Sequence, residues 1–479
     1  MNHNVYSTLL TDLYQLTMMQ GYFLQNKHQT MCVFDVFFRQ RDKTHYCVFA
    51  GLSQLIDFIQ NISFSKEDLK YLASTKLFDD KFLCALRNFR FEGDIDSVVE
   101  GEIIFPQQPI VKVHAPIWQA QFIETALLNI IGFQSLVASR ASMCRQAAGD
   151  RTIVEFGLRR SHGSTAGLYA SRASFIGGVD ATSNVLAGQQ FDIPIKGSMS
   201  HSYVLSFDTE LEAFESYAKN YPNHCLLLLD TFDTLYSGLP NAIKVFDGLK
   251  ASGYNPMGVR IDSGDLAYLS KKIRIELDKA GYEDTIIFAS GDIDEFVIDA
   301  LNSQNAKVDA FGIGGKLVTG DPNPIFGVVY KLSSIQVDDV MQPKLKISDT
   351  SQKTSNPGIK QLYRVYDSQG MAVADIIALQ GEKFDDPFTL RHPTERHRTT
   401  KITNYTLRNL HQKIFEKGKL KIKIPDISKV QEYKRNELSK FWNEYKRIVN
   451  PHIYKVNLSD GLYDLKQKLI YQSKLFKQL

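Results

Sequence analysis

Three stretches decide the fold: MGVRIDSGD (257–265), IIFASGD (286–292) and VDAFGIGGK (308–316). Each opens with a short β-rich run and breaks off into small or charged residues, and helical spacing fills the gaps, as over Leu266 to Ala280. Strand, polar loop and helix in repeated succession predict a parallel sheet with helical crossovers, because parallel neighbours cannot be joined by a tight hairpin. The same texture extends upstream. Ile153 to Phe156 precedes Gly157-Leu158-Arg159-Arg160, and Phe175 to Gly178 precedes Asp180 to Asn184. Ile193 to Ile195 precedes Gly197 to His201, and Leu226 to Leu229 precedes Asp230-Thr231. Polar clusters after nearly every strand favour an (α/β) barrel over an open doubly wound sheet. A barrel builds its site from all its strand C-terminal ends, a doubly wound sheet from one switch point.

Outside this region the chain reads differently. Thr11 is suited to cap a helix running through Met19, Val33 to Phe38 alternates as a strand, and Glu92 to Phe105 alternates up to Pro106. Gln119 to Val137 has helical spacing, with a second helix expected over Ala141 to Gly149. The expected division is an N-terminal α+β domain (1–114), an (α/β) barrel catalytic domain (115–340) and a C-terminal extension (341–479). That extension is expected to be basic, mostly helical and packed on the N-terminal domain. Residues 401–479 hold 18 lysines and arginines against 7 acids. They alternate with Leu, Ile, Tyr and Phe, and no nucleic-acid-binding motif accompanies them, so a solvated face is expected and no nucleic-acid partner.

Composition excludes several classes. At 479 residues, 43% of them hydrophobic, the chain is long enough for two or three domains and too apolar for disorder. A net charge of +3 creates no global field selecting nucleic acid or membrane. Five scattered cysteines without a CxxC pair exclude a disulfide framework and suit a reducing compartment. The first fifteen residues lack the basic and apolar regions of a signal peptide, and the longest apolar stretch, Thr125 to Ser139, is too short to span a bilayer. A cytoplasmic protein is expected.

Four constellations could carry chemistry. Gly312 to Lys316, with Thr319 beyond, could present backbone N–H groups to a phosphate; glycines also serve tight turns. Arg260, Asp262 and Asp265 could clamp an anion and hold a divalent metal or sugar hydroxyls. Equally, they could form an internal ion pair and a helix cap. His201, in the small-residue loop Gly197 to Ser202, is open enough to act as base or nucleophile, although a lone histidine is more often structural. Arg159 and Arg160 suit a polyanion or an ordinary surface, and alternation at a strand end would direct only one of them inward. Together they suit a multiply phosphorylated sugar. No GxxxxGK[ST] motif is present, which argues against a P-loop enzyme.

The segments TDLYQLTM (11–18), FDVFFR (34–39), EGEIIFPQQPIVKVHAPIWQAQFIET (100–125), EFGLRR (155–160), ATSN (181–184), GSMSHS (197–202), VRIDSGD (259–265) and PHIYKVNLS (451–459) resemble the nicotinate phosphoribosyltransferase family, in order and over nearly the whole chain. The resemblance implies condensation of nicotinate with 5-phosphoribosyl 1-diphosphate to nicotinate mononucleotide and diphosphate. It also implies coupled ATP hydrolysis, Mg2+ as cofactor and a homodimer. By motif, His201 matches a transiently phosphorylated histidine. Tyr14, Ser198, Arg260 and Ser183 match nicotinate contacts. Thr319, Gly314, Gly315, Arg159, Asp262 and Gly291 match the phosphoribosyl-diphosphate site, with Asp262 and Asp265 as metal ligands. In nicotinamide-using relatives an Asp lies within the ATSN segment, and a carboxylate there would repel nicotinate. Ser183 therefore points to the acid as substrate. The alternatives are a nicotinamide or quinolinate transferase and a phosphosugar aldolase or isomerase on the same barrel.

Overall fold

In the computed structural model the middle of the chain builds a six-stranded parallel sheet. Its strands are β1 (Thr152–Glu155), β2 (Ala181–Thr182), β3 (Leu226–Leu228), β4 (Gly258–Ile261), β5 (Ile286–Ser290) and β6 (Ala310–Ile313). The structure describes residues 7–39, 46–348, 354–395 and 397–476. The amino-terminal six, part of the stretch read for a signal peptide, lie outside them. The spatial order is β2-β1-β6-β5-β4-β3. The last strand thus pairs with the first, Ile313 beside Glu155, and the others follow in chain order. A doubly wound sheet starts instead from its centre. Val154, Ala181, Leu226, Phe288 and Ala310 share one buried cluster, although β2 and β3 are the two ends of the ladder.

Two expected strands differ. Phe175 to Gly178 closes the helix Ser164–Gly177, in which every residue from Gly167 onward is buried. A helix buried all round shows no amphipathic period, so its apolar end reads like a strand. Ile193 to Ile195 contributes one parallel bridge, Ile195 to Thr182.

The chain forms two compact units, residues 137–324 and residues 1–136 with 325–479. It passes between them at 136/137 and 324/325, whereas 114/115 and 340/341 were expected. The separate helices expected over 119–149 are the helices Ile117–Phe122 and Glu124–Ala148, the second continuous through Gly132 and Gln134. The first long helix is Leu13–Leu24, with Asp12 and not Thr11 at its N-cap.

In the unit made from both chain ends, Met31–Phe38 pairs with Val328–Val337 on one side and Val111–Pro116 on the other, within a seven-stranded sheet. The C-terminal extension is not mostly helical. Lys360–Tyr366, Ala372–Leu379, Phe388–Arg391, Thr399–Ile402, Thr406–Asn409 and Val456–Leu458 form a six-stranded sheet. Among the described residues the longer helices there are Ile427–Ser439 and Asp460–Phe476. Basic residues alternating with Leu, Ile and Phe have the period of two of a half-exposed strand as readily as that of a helix face. Inside this unit Arg364 is wholly buried. It donates two parallel hydrogen bonds to Asp375 (2.9 and 2.8 Å) and one to Glu102 (2.6 Å), and lies over the Phe441 ring. Tyr454 also donates to Asp375 (2.8 Å). Among the described residues no helix is long and apolar enough to cross a membrane.

His411 gives this unit a pH dependence. Burial pushes its imidazole down to about 4, while Nε2 lies 2.6 Å from the Pro109 carbonyl. The unfolded chain takes up a proton at this ring below pH ~6.5, but the folded chain keeps it neutral to about 4. Stability from this residue is therefore present above pH ~6.5 and falls as pH drops to about 4, by about 3 kcal/mol in all. Thermal midpoints of wild type and His411→Gln across pH 4–7 should converge as pH falls. Parallel curves would contradict this.

Candidate functional site

Neighbouring strands are in register, with Leu228 beside Arg260, Ile261 beside Ala289, Ser290 beside Gly312 and Ile313 beside Glu155. The residues that follow them are therefore brought to one edge of the sheet. Arg260, near the end of β4, is held from four sides. Its Nε donates to Ser290 Oγ (2.8 Å), its Nη2 to Asp262 Oδ1 (2.7 Å) and its Nη1 to the Met199 carbonyl (3.3 Å). The guanidinium carbon lies 5.4 Å from the centre of the Phe156 ring. Burial by itself would push the Asp262 carboxyl up, but hydrogen bonds from Ser290 and Arg260, with the charge of Arg260, hold it below the ordinary aspartate value. Gly291 is needed for this approach. Its φ is +120°, and a Cβ there would meet the Asp262 carbonyl at 2.9 Å.

His201 opens the short helix His201–Leu205. Its Nδ1 is 3.2 Å from Thr231 Oγ1, and its Nε2 is 3.9 Å from Asp230 Oδ1. Asp230 follows β3 and its side chain is only 4% exposed. Oδ2 accepts from the Asp262 N–H (3.0 Å) and the Ser263 hydroxyl (2.5 Å), while Oδ1 has no hydrogen-bond partner. Ser198 presents a second unspent group, a buried hydroxyl with no hydrogen-bond partner. A buried polar atom left without a partner costs about 1–3 kcal/mol, so two at one sheet edge mark a place prepared for a ligand.

The remaining residues separate. Asp265 is an exposed N-cap, accepting from the Tyr268 N–H (2.9 Å), so the cap reading of that aspartate holds. Neither Gly314 nor Gly315 has positive φ. A Cβ on Gly314 would crowd the Phe156 carbonyl at 3.2 Å, so close approach rather than turn geometry requires the glycine. Thr319 donates to the Gly315 carbonyl (2.8 Å), and Lys316 is tied to Asp294 (2.7 Å), whose hydrogen bond raises the lysine pKa. Arg159 and Arg160 are exposed in a 3₁₀ turn, Leu158–Arg160, so strand alternation does not choose between them. The Arg160 stem is the one beside Gly315. Ser183 is half-buried after β2, its N–H donating to the Glu155 carbonyl (2.9 Å). Tyr14 belongs to the other unit, 47% exposed on the helix Leu13–Leu24.

Sequence reasoning passed over Asp230, Ser290 and Glu155. Glu155 is fully buried at the end of β1. It accepts from Thr182 Oγ1 (2.6 Å), Ser171 Oγ (2.8 Å) and the Gly157 N–H, and so organises both the EFGLRR and the ATSN loops. Asp230 had a usable signal, since it stands just beyond its strand as Asp262 does beyond β4.

Three family signatures match in chain order. They are described as the nicotinate phosphoribosyltransferase N-terminal domain (residues 9–132), the nicotinate phosphoribosyltransferase family (152–372) and the nicotinate phosphoribosyltransferase C-terminal domain (359–466). A nicotinate phosphoribosyltransferase of Bacillus subtilis (strain 168) is 42% identical over 471 residues, covering 98% of this chain and 96% of that protein. The chain belongs to the nicotinate phosphoribosyltransferase family. A nicotinate phosphoribosyltransferase of Caenorhabditis elegans is 34% identical over 539 residues, covering 98% and 94%. The crystal structure of human nicotinic acid phosphoribosyltransferase aligns with a TM-score of 0.83 at 28% identity, over 96% of this chain and all of that one. Within this family of transferases, the cluster around Arg260 and His201 is the candidate active site.

Proposed function

We propose that this cluster joins nicotinate to 5-phosphoribosyl 1-diphosphate, giving nicotinate mononucleotide and diphosphate, the first step of NAD biosynthesis from nicotinate, with ATP hydrolysed to ADP and phosphate in the same cycle. The observation that carries the reading is Arg260: a guanidinium fixed by Ser290, Asp262 and Met199, near the loop that bears the unpaired Ser198 hydroxyl, is a receptor for a carboxylate. Ser183 completes this chain's own nicotinate contacts. Arg159, Gly291, Gly314, Gly315, Thr319 and Asp262 hold the sugar diphosphate.

In the reaction the bond from ribose C1 to diphosphate breaks and its electron pair leaves with the diphosphate. The nicotinate ring nitrogen supplies the lone pair for the new C1–N bond. That nitrogen carries no proton to remove, so the chain's task is alignment and stabilisation of the departing charge, and no general base is required. His201 takes the phosphoryl group of ATP: the terminal P–O bond breaks toward ADP, a P–N bond forms, and water later releases phosphate. Asp230, facing the ring, stabilises the positive charge that the imidazole gains.

Mg2+ commonly uses one or two protein carboxylates and completes its shell with water and substrate phosphates. No group of three or more ligating side chains occurs among the described residues. Asp230 Oδ1, which accepts no hydrogen bond, fits one carboxylate of that mode, and Asp262, whose Oδ1 serves Arg260 and Ser290, keeps Oδ2 for the second; Asp265 instead caps a helix. Asp230 and Asp262 would hold the ion, which supplies charge neutralisation for the leaving diphosphate.

Closure of the parallel strands into a barrel is part of the same reading, supported by the pairing of first and last strands and by the cluster shared between β2 and β3. The homodimer with Tyr14 serving a neighbour's site, the cytoplasmic location and the absence of a nucleic-acid role also belong to it.

The deciding experiment offers nicotinate, nicotinamide and quinolinate separately with 5-phosphoribosyl 1-diphosphate and magnesium, with and without ATP. Mononucleotide from nicotinate alone, increased by ATP, is expected; product from nicotinamide would overturn the Ser183 assignment. Ser183→Asp should lower kcat/KM for nicotinate roughly ten- to a hundredfold through like-charge repulsion, and an unchanged value would remove Ser183 from the pocket. Asp230→Asn should reduce phosphohistidine labelling from γ-labelled ATP by about 10–100-fold, and full labelling would detach Asp230 from His201.

A further inference from the structure

In the unit built from both chain ends a cavity of about 470 Å³ opens between the helix Leu52–Gln60, the turn at Val99–Glu102 and the segment leading into the helix Ile427–Ser439. A packing void holds about one water, on the order of 10–15 Å³ by the same kind of measure, whereas small-molecule sites begin near 300 Å³. Leu52, Ile56, Leu410 and Val430 give much of the wall an apolar face, interrupted by polar residues such as Asn409 and Gln412. Two acids of the lining are buried, Glu100 and Glu102. Glu100 accepts from the Gly51 N–H (2.6 Å). Glu102 accepts from Arg364 through Oε1 (2.6 Å), and from Arg408 (2.8 Å) and Tyr433 (2.5 Å) through Oε2. The lining also carries Lys423 and Lys429, both exposed. Lys429 is 3.7 Å from the exposed Asp426, and Lys423 has no ion-pair partner among the described residues. A largely apolar chamber, a Glu102 tied to Arg364 and Arg408, and two exposed lysines in the lining form one complementary pattern.

We propose that this cavity binds a small monoanionic amphiphile, an alkyl or aryl body within the apolar walls and a carboxylate or sulfonate at Lys423 and Lys429. The site is separate from the sheet edge that bears Arg260 and does not depend on the transferase reading. Hydrophobic burial supplies the affinity and the lysines set the polarity of insertion, as in other pockets with few charged groups.

The test is fluorescence titration of the full chain with 1-anilinonaphthalene-8-sulfonate, followed by displacement with decanoate. One saturable site per chain, emptied by decanoate, is expected. Exchange of both exposed lysines, Lys423→Glu with Lys429→Glu, should raise both dissociation constants by about tenfold or more. Ser53→Trp, which fills the cavity at a half-buried lining position, should abolish binding. Nicotinate mononucleotide formation should persist in both variants. Failure of wild type to bind saturably would overturn the proposal, as would unchanged affinity in the lysine variant. Should Ser53→Trp not fold, the lysine exchange decides alone.

Discussion

Arg260→Ala should lower kcat/KM for nicotinate by about 30- to 150-fold, or ~2–3 kcal/mol. This is the low end of the range for truncating one partner of a hydrogen-bonded charge pair, because Arg260 and Asp262 are half-buried. The size follows from how completely the side chain is held. Three hydrogen bonds and a ring face fix the guanidinium before substrate arrives, so its ordering entropy is not spent on binding. Truncation also leaves Asp262 without its cation. Arg260→Lys should recover little, because an ammonium cannot reproduce the planar fork that meets Ser290 and Asp262 together. KM for the sugar diphosphate should move less than KM for nicotinate. A kcat/KM for nicotinate within threefold of wild type in Arg260→Ala would place the carboxylate receptor elsewhere.

The second large effect concerns stability. Asp375→Ala should destabilise the two-ended unit by about 3–5 kcal/mol, because it leaves Arg364 buried with half of its charge pairing gone. The double replacement Arg364→Met with Asp375→Leu should be less damaging than the single one, since it removes both charges from the interior together. Trp118 and Trp442, the only two tryptophans, both lie in this unit, so urea unfolding followed by tryptophan emission reports on it. Equal urea midpoints for wild type and Asp375→Ala would show that the network contributes nothing net.

Much of the candidate site was legible because strand ends announce themselves: VRIDSGD, GSMSHS and FGIGGK interrupt apolar runs with residues that no core would choose. What stayed hidden depended on distance across the sheet. Ser290 looks like an ordinary loop serine until register sets β5 beside β4 and makes it a partner of Arg260. Asp230 becomes distinctive only once one of its oxygens is buried and unpaired. Spacing misled in the carboxy-terminal region, where basic residues set among apolar ones read as a helix face and only pairing of Lys360–Tyr366 with Ala372–Leu379 reveals sheet. Ser164–Gly177 hid for the opposite reason, having no exposed face to give it a period.

The seam between the two chain ends has a consequence for biosynthesis. Val33 lies against Ser333, 300 residues later in the chain. At roughly 5–20 residues per second a ribosome needs about 15–60 s to supply that partner. Throughout the interval Met31–Phe38 is an apolar strand with an open edge, and residues 137–324 receive the last strand of their own sheet, Ala310–Ile313, before Ser333 is made. The nascent chain thus completes its middle sheet first, and its amino-terminal strand is the exposed edge that needs shielding until Val328–Val337 has been made, with 142 residues (479 − 337) still to come.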